Sequence, residues 1–234
     1  MKQAFTNATI WPAAGPEITD GTLIVDDGKI VEVGGELDTT GMTVVDCEGR
    51  YLLPGFVEPH THTGVWGEGA RDDHDGNEMS EAITPYARAL DAIYPEDIGF
   101  EDARRGGVTT LGISHGSANP IGGQLSVAKA YGRVADDMVI KQPAGMKMAL
   151  GENPKRVGEH CKRAPSSRMG VAYLARQAFY EAIEYRKDWE HHHALVAAES
   201  AKPESDRKPL REPKRDLGKE ILLQVLDREI PVRN

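Results

Sequence analysis

The sequence predicts an α/β protein, and three observations carry that prediction. Residues 1 to about 50 alternate and turn as a β-rich segment does, and later apolar runs of strand length are separated by helical patterns. One run, Tyr51-Leu52-Leu53-Pro54-Gly55-Phe56-Val57, reads as a short buried strand of the parallel type, and it leads into two histidines, His60 and His62. Histidines one residue apart on an extended strand point to the same side, with β-carbons about 6.6 Å apart at a rise of ~3.3 Å per residue, so both imidazoles can reach one divalent ion. The C-terminal end of a parallel strand is where barrel enzymes keep their chemistry. Taken alone, a short His-x-His is also compatible with two polar residues in a loop.

Composition narrows the classes. With 234 residues, 39% of them hydrophobic and 28% charged, the chain has the profile of a soluble globular protein of one or two domains. A net charge of −9 argues against general nucleic-acid binding, which needs a basic surface to replace counterions. No apolar run approaches the ~20 residues of a spanning helix, and Met1 to Asn7 has no signal-peptide core, so no membrane association and a cytoplasmic location are expected. Cys47 and Cys161 lie far apart, outside any metal-ligand spacing, and are expected to stay reduced.

In chain order, Ala4 to Trp11 alternates, and Thr22-Leu23-Ile24-Val25 and Lys29-Ile30-Val31-Glu32-Val33 flank Asp26-Asp27-Gly28, a tight-hairpin signal. Met42 to Asp46 is a further strand. After the histidines, Trp66 to Pro95 is long and polar, a candidate substrate-covering lid; within it Asp72, Asp73, His74 and Asp75 read as a solvated turn. Pro95-Glu96-Asp97 opens a helix that runs through Arg105 and ends at Gly106-Gly107. Val108 to Ile113 is a second buried strand, delivering His115 and a Gly/Ser/Asn/Pro-rich turn that reaches Gln124. Gly122-Gly123 reads as a tight turn or as a place where backbone amides approach a ligand oxygen.

Asp137 to Lys141 and Gly145 to Leu150 are the next strand candidates. Lys147 sits in the second, and an ammonium there is costly to bury, so it needs a chemical reason unless its stem runs along apolar surface to solvent. Gly151 to Arg168 is a basic loop containing Lys155 and Arg156, suited to a substrate carboxylate or simply solvated. From 168 to 198 the spacing predicts a long helix with an apolar stripe of Ala172, Ala175, Phe179, Ala182, Ile183, Trp189 and Leu195. His191-His192-His193 lies on it and cannot face one ion together, since successive helical residues are about 100° apart. A charged linker from Lys202 to Arg215, a helix capped by Asp216, and the start of a strand at Ile230 to Asn234 complete the chain.

Three stretches in this order, Leu53 to His62, Gly116 to Gln124 and Met146 to Arg156, resemble the imidazolonepropionase-like branch of the amidohydrolase superfamily. The resemblance implies a small β-sandwich segment at 1-50 and, at 51-234, the first half of a TIM-like (β/α) barrel of about four to five strands. It implies that His60 and His62 bind a divalent metal, with zinc the expected ion, and that Lys147, carboxylated by carbon dioxide, or else Glu152 bridges two ions. Relatives do not use the position of His115 as a ligand, which leaves it a substrate or supporting role. The substrate is expected to be a small molecule bearing an amide or cyclic amide, attacked by a metal-activated water. In the family the fifth strand and those after it supply two more metal-binding histidines and the catalytic aspartate, which this sequence does not contain, so the expectation is a truncated chain, inactive alone, with the catalytic residue unassigned. The alternative is a non-catalytic remnant or one subunit of a split enzyme, oligomeric or paired with a complementing C-terminal half.

Overall fold

The alternation over the first strands is interrupted by two residues with the backbone of a primed turn. In the computed structural model, which describes residues 1–68 and 75–234, Asp27 and Gly28 have φ of 48° and 70°. The strands around them are β1 (Gln3–Ile10), β2 (Ile18–Asp26), β3 (Lys29–Gly34), β4 (Thr43–Asp46) and β5 (Tyr51–Leu52). They form one sheet of order β3-β2-β1-β4, in which β5 also pairs with β1. The hairpins β1–β2 and β2–β3 are antiparallel, and β4 and β5 run parallel to β1. Ala4, Ala8, Ile10 and Ile24 are buried, whereas Ile30, Val31 and Val44 are exposed. This sheet belongs to the compact unit Met1–Phe56.

The second unit, Val57–Asn234, is organised around another five-stranded sheet. In chain order its elements are β6 (Phe56–Thr61), α1 (Ile98–Arg105), β7 (Val108–Ile113), β8 (Ile121–Lys129), the single turn α2 (Ala135–Met138), β9 (Val139–Met148), α3 (Glu152–His160), α4 (Arg168–Ser200), α5 (Leu217–Leu226) and β10 (Val232–Arg233). The sheet order is β10-β9-β8-β7-β6. β9 and β10 are parallel, while β8 is antiparallel to both β7 and β9. The sheet is therefore mixed, unlike the all-parallel arrangement of a regular (β/α) barrel.

Three local expectations are corrected. The segment read as a turn through Gln124 enters a nine-residue strand, β8, whose register shifts around Ile121/Gly123 and Leu125/Val127 disguise its alternation. The two strand candidates at 137–150 are one ten-residue strand, β9. The basic loop holds a helix, α3, which starts with Glu152 and tolerates Pro154 because a first-turn N–H has no intrahelical partner.

Helix ends follow the capping residues. Asp97 accepts from Gly99 N (2.8 Å), Ser167 from Gly170 N (3.1 Å) and Asp216 from Lys219 N (3.0 Å), each satisfying an amide that its helix leaves unpaired. α4 buries Val171, Ala175, Ala178 and Ala182, and the last three pack with Ile121, Met146 and Met148 of the sheet and Leu222 of α5. Its predicted stripe fades toward the end, where Leu195 is exposed. A second layer joins Phe100, Leu111, Ile113, Ala128 and Met138. Among the described residues no helix is long and apolar enough to cross a membrane.

Much of the long polar segment is fastened down. Asn119 donates to the carbonyls of Glu78 (2.7 Å) and Glu81 (2.8 Å), Ala118 N donates to Asn77 Oδ1, and Ala89 is fully buried. Asp72, Asp73 and His74 lie outside the described residues.

Candidate metal centre at the strand ends

β6 ends at Thr61, so His60 and His62 share the strand side fixed by their spacing. Their ring centroids are 5.7 Å apart, edge to face. The Nδ1 of His62 lies 2.8 Å from the carbonyl of Ser114, at the end of β7. A carbonyl only accepts, so Nδ1 carries a proton, and in the neutral ring this leaves the lone pair on Nε2, the tautomer that ligates a metal. The ring is held further by Trp66, 4.5 Å away between centroids. Trp66 fits because two glycines make room: a Cβ on Gly76 would sit 1.4 Å from its Nε1, and one on Gly116 2.9 Å from its Cζ2. Asp97 fixes the turn beyond, its buried carboxylate accepting from Gly64 N (2.9 Å) and Glu68 N (3.3 Å).

His60 is the more open of the pair. Partial burial of its ring, then the charges of Lys147, His62 and Arg233, hold its pKa below the usual histidine range against the opposing Glu58. The neutral ring favoured in this way is the ligating form. Its backbone N–H donates to Glu58 Oε1 (2.9 Å).

His115 and Lys147 complete the group. His115 is only 5% exposed, and its Nε2 has no hydrogen-bond partner among the described residues. Burial, and secondarily the charges of His62 and Lys147, push its pKa down to about 4. Lys147 is 3% exposed, and burial lowers the pKa of its amine. Its neighbours Met146 and Met148 face the helix-side core, so Lys147 projects from the other face of β9. The Gly122-Gly123 pair explains how both fit. A Cβ on Gly122 would stand 3.5 Å from Lys147 Cγ and 3.8 Å from His115 Cβ; on Gly123, at φ +130°, it would lie 2.4 Å from His115 Nε2. These glycines sit in strand β8 and clear space for two side chains, which neither reading of them as a turn nor as a ligand cradle anticipates.

No family profile matches the chain. A crystal structure of an amidohydrolase from Thermotoga maritima MSB8 is similar over 99% of this chain, with a TM-score of 0.87 and 38% identity. Among curated proteins, the amidohydrolase tasK of Hapsidospora irregularis is 34% identical over 216 residues, 78% of this chain, and an imidazolonepropionase of Sphingopyxis alaskensis is 29% identical over 161 residues, 60% of it. The chain belongs to the amidohydrolase superfamily. It matches the N-terminal part of longer relatives, spanning 57% of the Thermotoga chain, 22% of tasK and 40% of the imidazolonepropionase.

In this amidohydrolase-superfamily chain the remaining sequence candidates lie elsewhere. Glu152 is an exposed first residue of α3, 2.8 Å from Lys155 Nζ and 4.0 Å from Arg168 Nε. Arg156 is exposed on the same helix. The structure thus brings His60, His62, His115 and Lys147 together and leaves Glu152, Lys155 and Arg156 on the surface of α3. Among the described residues no three His, Cys, Asp or Glu side chains gather closely enough to hold a metal. The Ser114 carbonyl, Trp66 and Arg233 were not anticipated. Only the alternation of Arg233 with the apolar Ile230 and Val232 hinted that it turns away from the core.

Proposed function

We propose that the chain carries part of the active site of a metal-dependent hydrolase, of the imidazolonepropionase-like kind, that cleaves a C–N bond in a non-peptide amide or cyclic amide of a small molecule. The observation that carries this reading is the His62 ring, held by the Ser114 carbonyl in the ligating tautomer with His60 beside it. Two imidazoles on one strand side fit a divalent ion, and zinc suits a nitrogen-rich donor set. When bound, such an ion supplies Lewis acidity for the carbonyl and acidifies the attacking water.

The chain's own residues then have separable tasks. His60 and His62 bind the ion, and Ser114 and Trp66 hold the His62 ring in place. Lys147, buried and biased toward its neutral amine, can add carbon dioxide with release of a proton, becoming a carbamate able to bridge two ions; Glu152, ion-paired at the surface, is less suited. His115, neutral and with an unpartnered Nε2, offers a hydrogen bond to substrate. Lys155 and Arg156 on α3 are further candidates for substrate contact. The second sheet is read as the first part of a barrel, with the antiparallel β8 as an insertion. Calorimetric titration tests the reading: zinc should bind the chain weakly, and the His60→Ala, His62→Ala double variant should lose that binding. Equal binding by both proteins would overturn it.

A further inference from the structure

α4 buries one face and leaves the opposite one uncovered among the described residues. Val171, Ala175, Ala178 and Ala182 are buried, and at ~100° per residue Met169, Tyr173, Arg176, Tyr180, Glu184 and Lys187 fall on the far side of the helix, where all of them are exposed. Met169 is 81%, Tyr173 61% and Tyr180 67% exposed. Single exposed tyrosines, such as Tyr51 and Tyr131, need no explanation, but here a methionine and two tyrosines line up along one side of a rod. Beside them Phe179, Ile183 and Leu226 border an apolar groove that Arg176 and Tyr180 also line. Tyrosine, methionine and arginine are among the residues enriched where protein surfaces meet.

The order of charges along this stripe reverses about Tyr180. Arg176 stands four residues before it and Glu184 four after, Tyr173 seven before and Lys187 seven after. Two copies of α4 laid antiparallel on a two-fold axis at Tyr180 therefore set Arg176 against Glu184 of the partner subunit, and Tyr173 against Lys187 of the partner subunit, at both symmetric contacts. The first is an ion pair and the second a cation over an aromatic face. Laid parallel, the same stripe sets each charge against its like. Glu184 holds Lys187 of its own helix at 2.7 Å, and a carboxylate has acceptor sites left for a second cation. We propose that this face of α4 binds a second copy of the chain, as an antiparallel helix pair centred on Tyr180. The charge order selects the occupant, and the proposal stands apart from the hydrolase reading.

Sedimentation velocity of the full chain over a range of micromolar concentrations tests it. The wild type should show a concentration-dependent equilibrium between monomer and dimer. Arg176→Glu sets acid against acid at both symmetric contacts and Glu184→Arg sets base against base, so either variant should weaken the dimer by about tenfold or more. Mixing the two variants puts an acid opposite a base at both contacts again, and the mixed pair should return to wild-type strength. Both side chains are exposed, so circular dichroism melts of the single variants should match the wild type. A wild type that stays monomeric would overturn the proposal, whatever else covers this face. So would association that survives both single variants, as pairing through open sheet edges would, or a mixture that binds no better than its components.

Discussion

Lys147 and Lys155 lie close in sequence, yet they stand in opposite circumstances. Lys147 is 3% exposed on the site face of β9, beside a histidine whose Nε2 has no hydrogen-bond partner among the described residues, while Lys155 sits on α3 with its ammonium 2.8 Å from Glu152. Leaving buried polar groups unsatisfied costs stability, and a fold keeps such a group when something outside the described contacts completes it. A solvated ion pair on a helix contributes little and carries no such implication. The two regions differ in burial and not in residue type, since both are rich in lysine, arginine and histidine.

The largest expected effect breaks the packing on which the buried side depends. Gly123→Ala adds a Cβ 2.4 Å from both the Ala87 carbonyl and His115 Nε2 at a φ of +130°, and should destabilise by about 3 kcal/mol in a denaturant titration. Gly151→Ala, before α3, meets nothing within 4 Å and should change stability by no more than about 0.5 kcal/mol. Equal effects would mean that the two regions are packed alike.

The next effect is a pH dependence. His115 has its folded pKa pushed from 6.5 down to about 4, so below pH 6.5 the unfolded chain binds a proton that the folded one refuses. Stability of the metal-free protein should be flat in this group above pH 6.5 and fall as pH drops toward 4, by up to about 3 kcal/mol. His115→Gln should flatten that limb, and an unchanged limb would place its origin elsewhere.

Lys147→Met has a smaller effect of opposite sign. Removing a buried amine should stabilise the metal-free chain by about 1 kcal/mol at neutral pH. Because the folded pKa is lowered from 10.5, the unfolded state binds the extra proton between the two values, and wild-type stability should rise with pH across that window. The variant should lack the rise; thermal melts at several pH values read both. Smallest of all, Glu152→Gln should leave both the melting temperature and zinc binding unchanged, because this carboxylate is solvated. A loss of zinc binding there would return Glu152 to the centre.

Local signals explain what was legible. The Asp27-Gly28 hairpin and the caps Asp97, Ser167 and Asp216 act within a few residues and are visible in sequence. His60 and His62 are legible for the same reason, and Lys147 stood out because an amine in an apolar strand is anomalous. β8 was hidden because Gly122-Gly123 imitates a turn and its register shifts break the two-residue period. The pairing of Arg233 with Lys147, the Ser114 carbonyl on His62 and the slot for Trp66 depend on partners distant in sequence, which propensity does not encode. Nor could sequence show that Glu152, Lys155 and Arg156 open a solvated helix, because their spacing suits a loop as well.

The central claim is that the strand-end histidines, and not another polar cluster, receive a metal. Crystals of the chain soaked in zinc and measured at the zinc absorption edge test it most directly. The account predicts an anomalous peak about 2.1 Å from the Nε2 of His62 and within reach of His60. A peak confined to His191, His192 and His193 on α4, or beside Glu152 on α3, would contradict it.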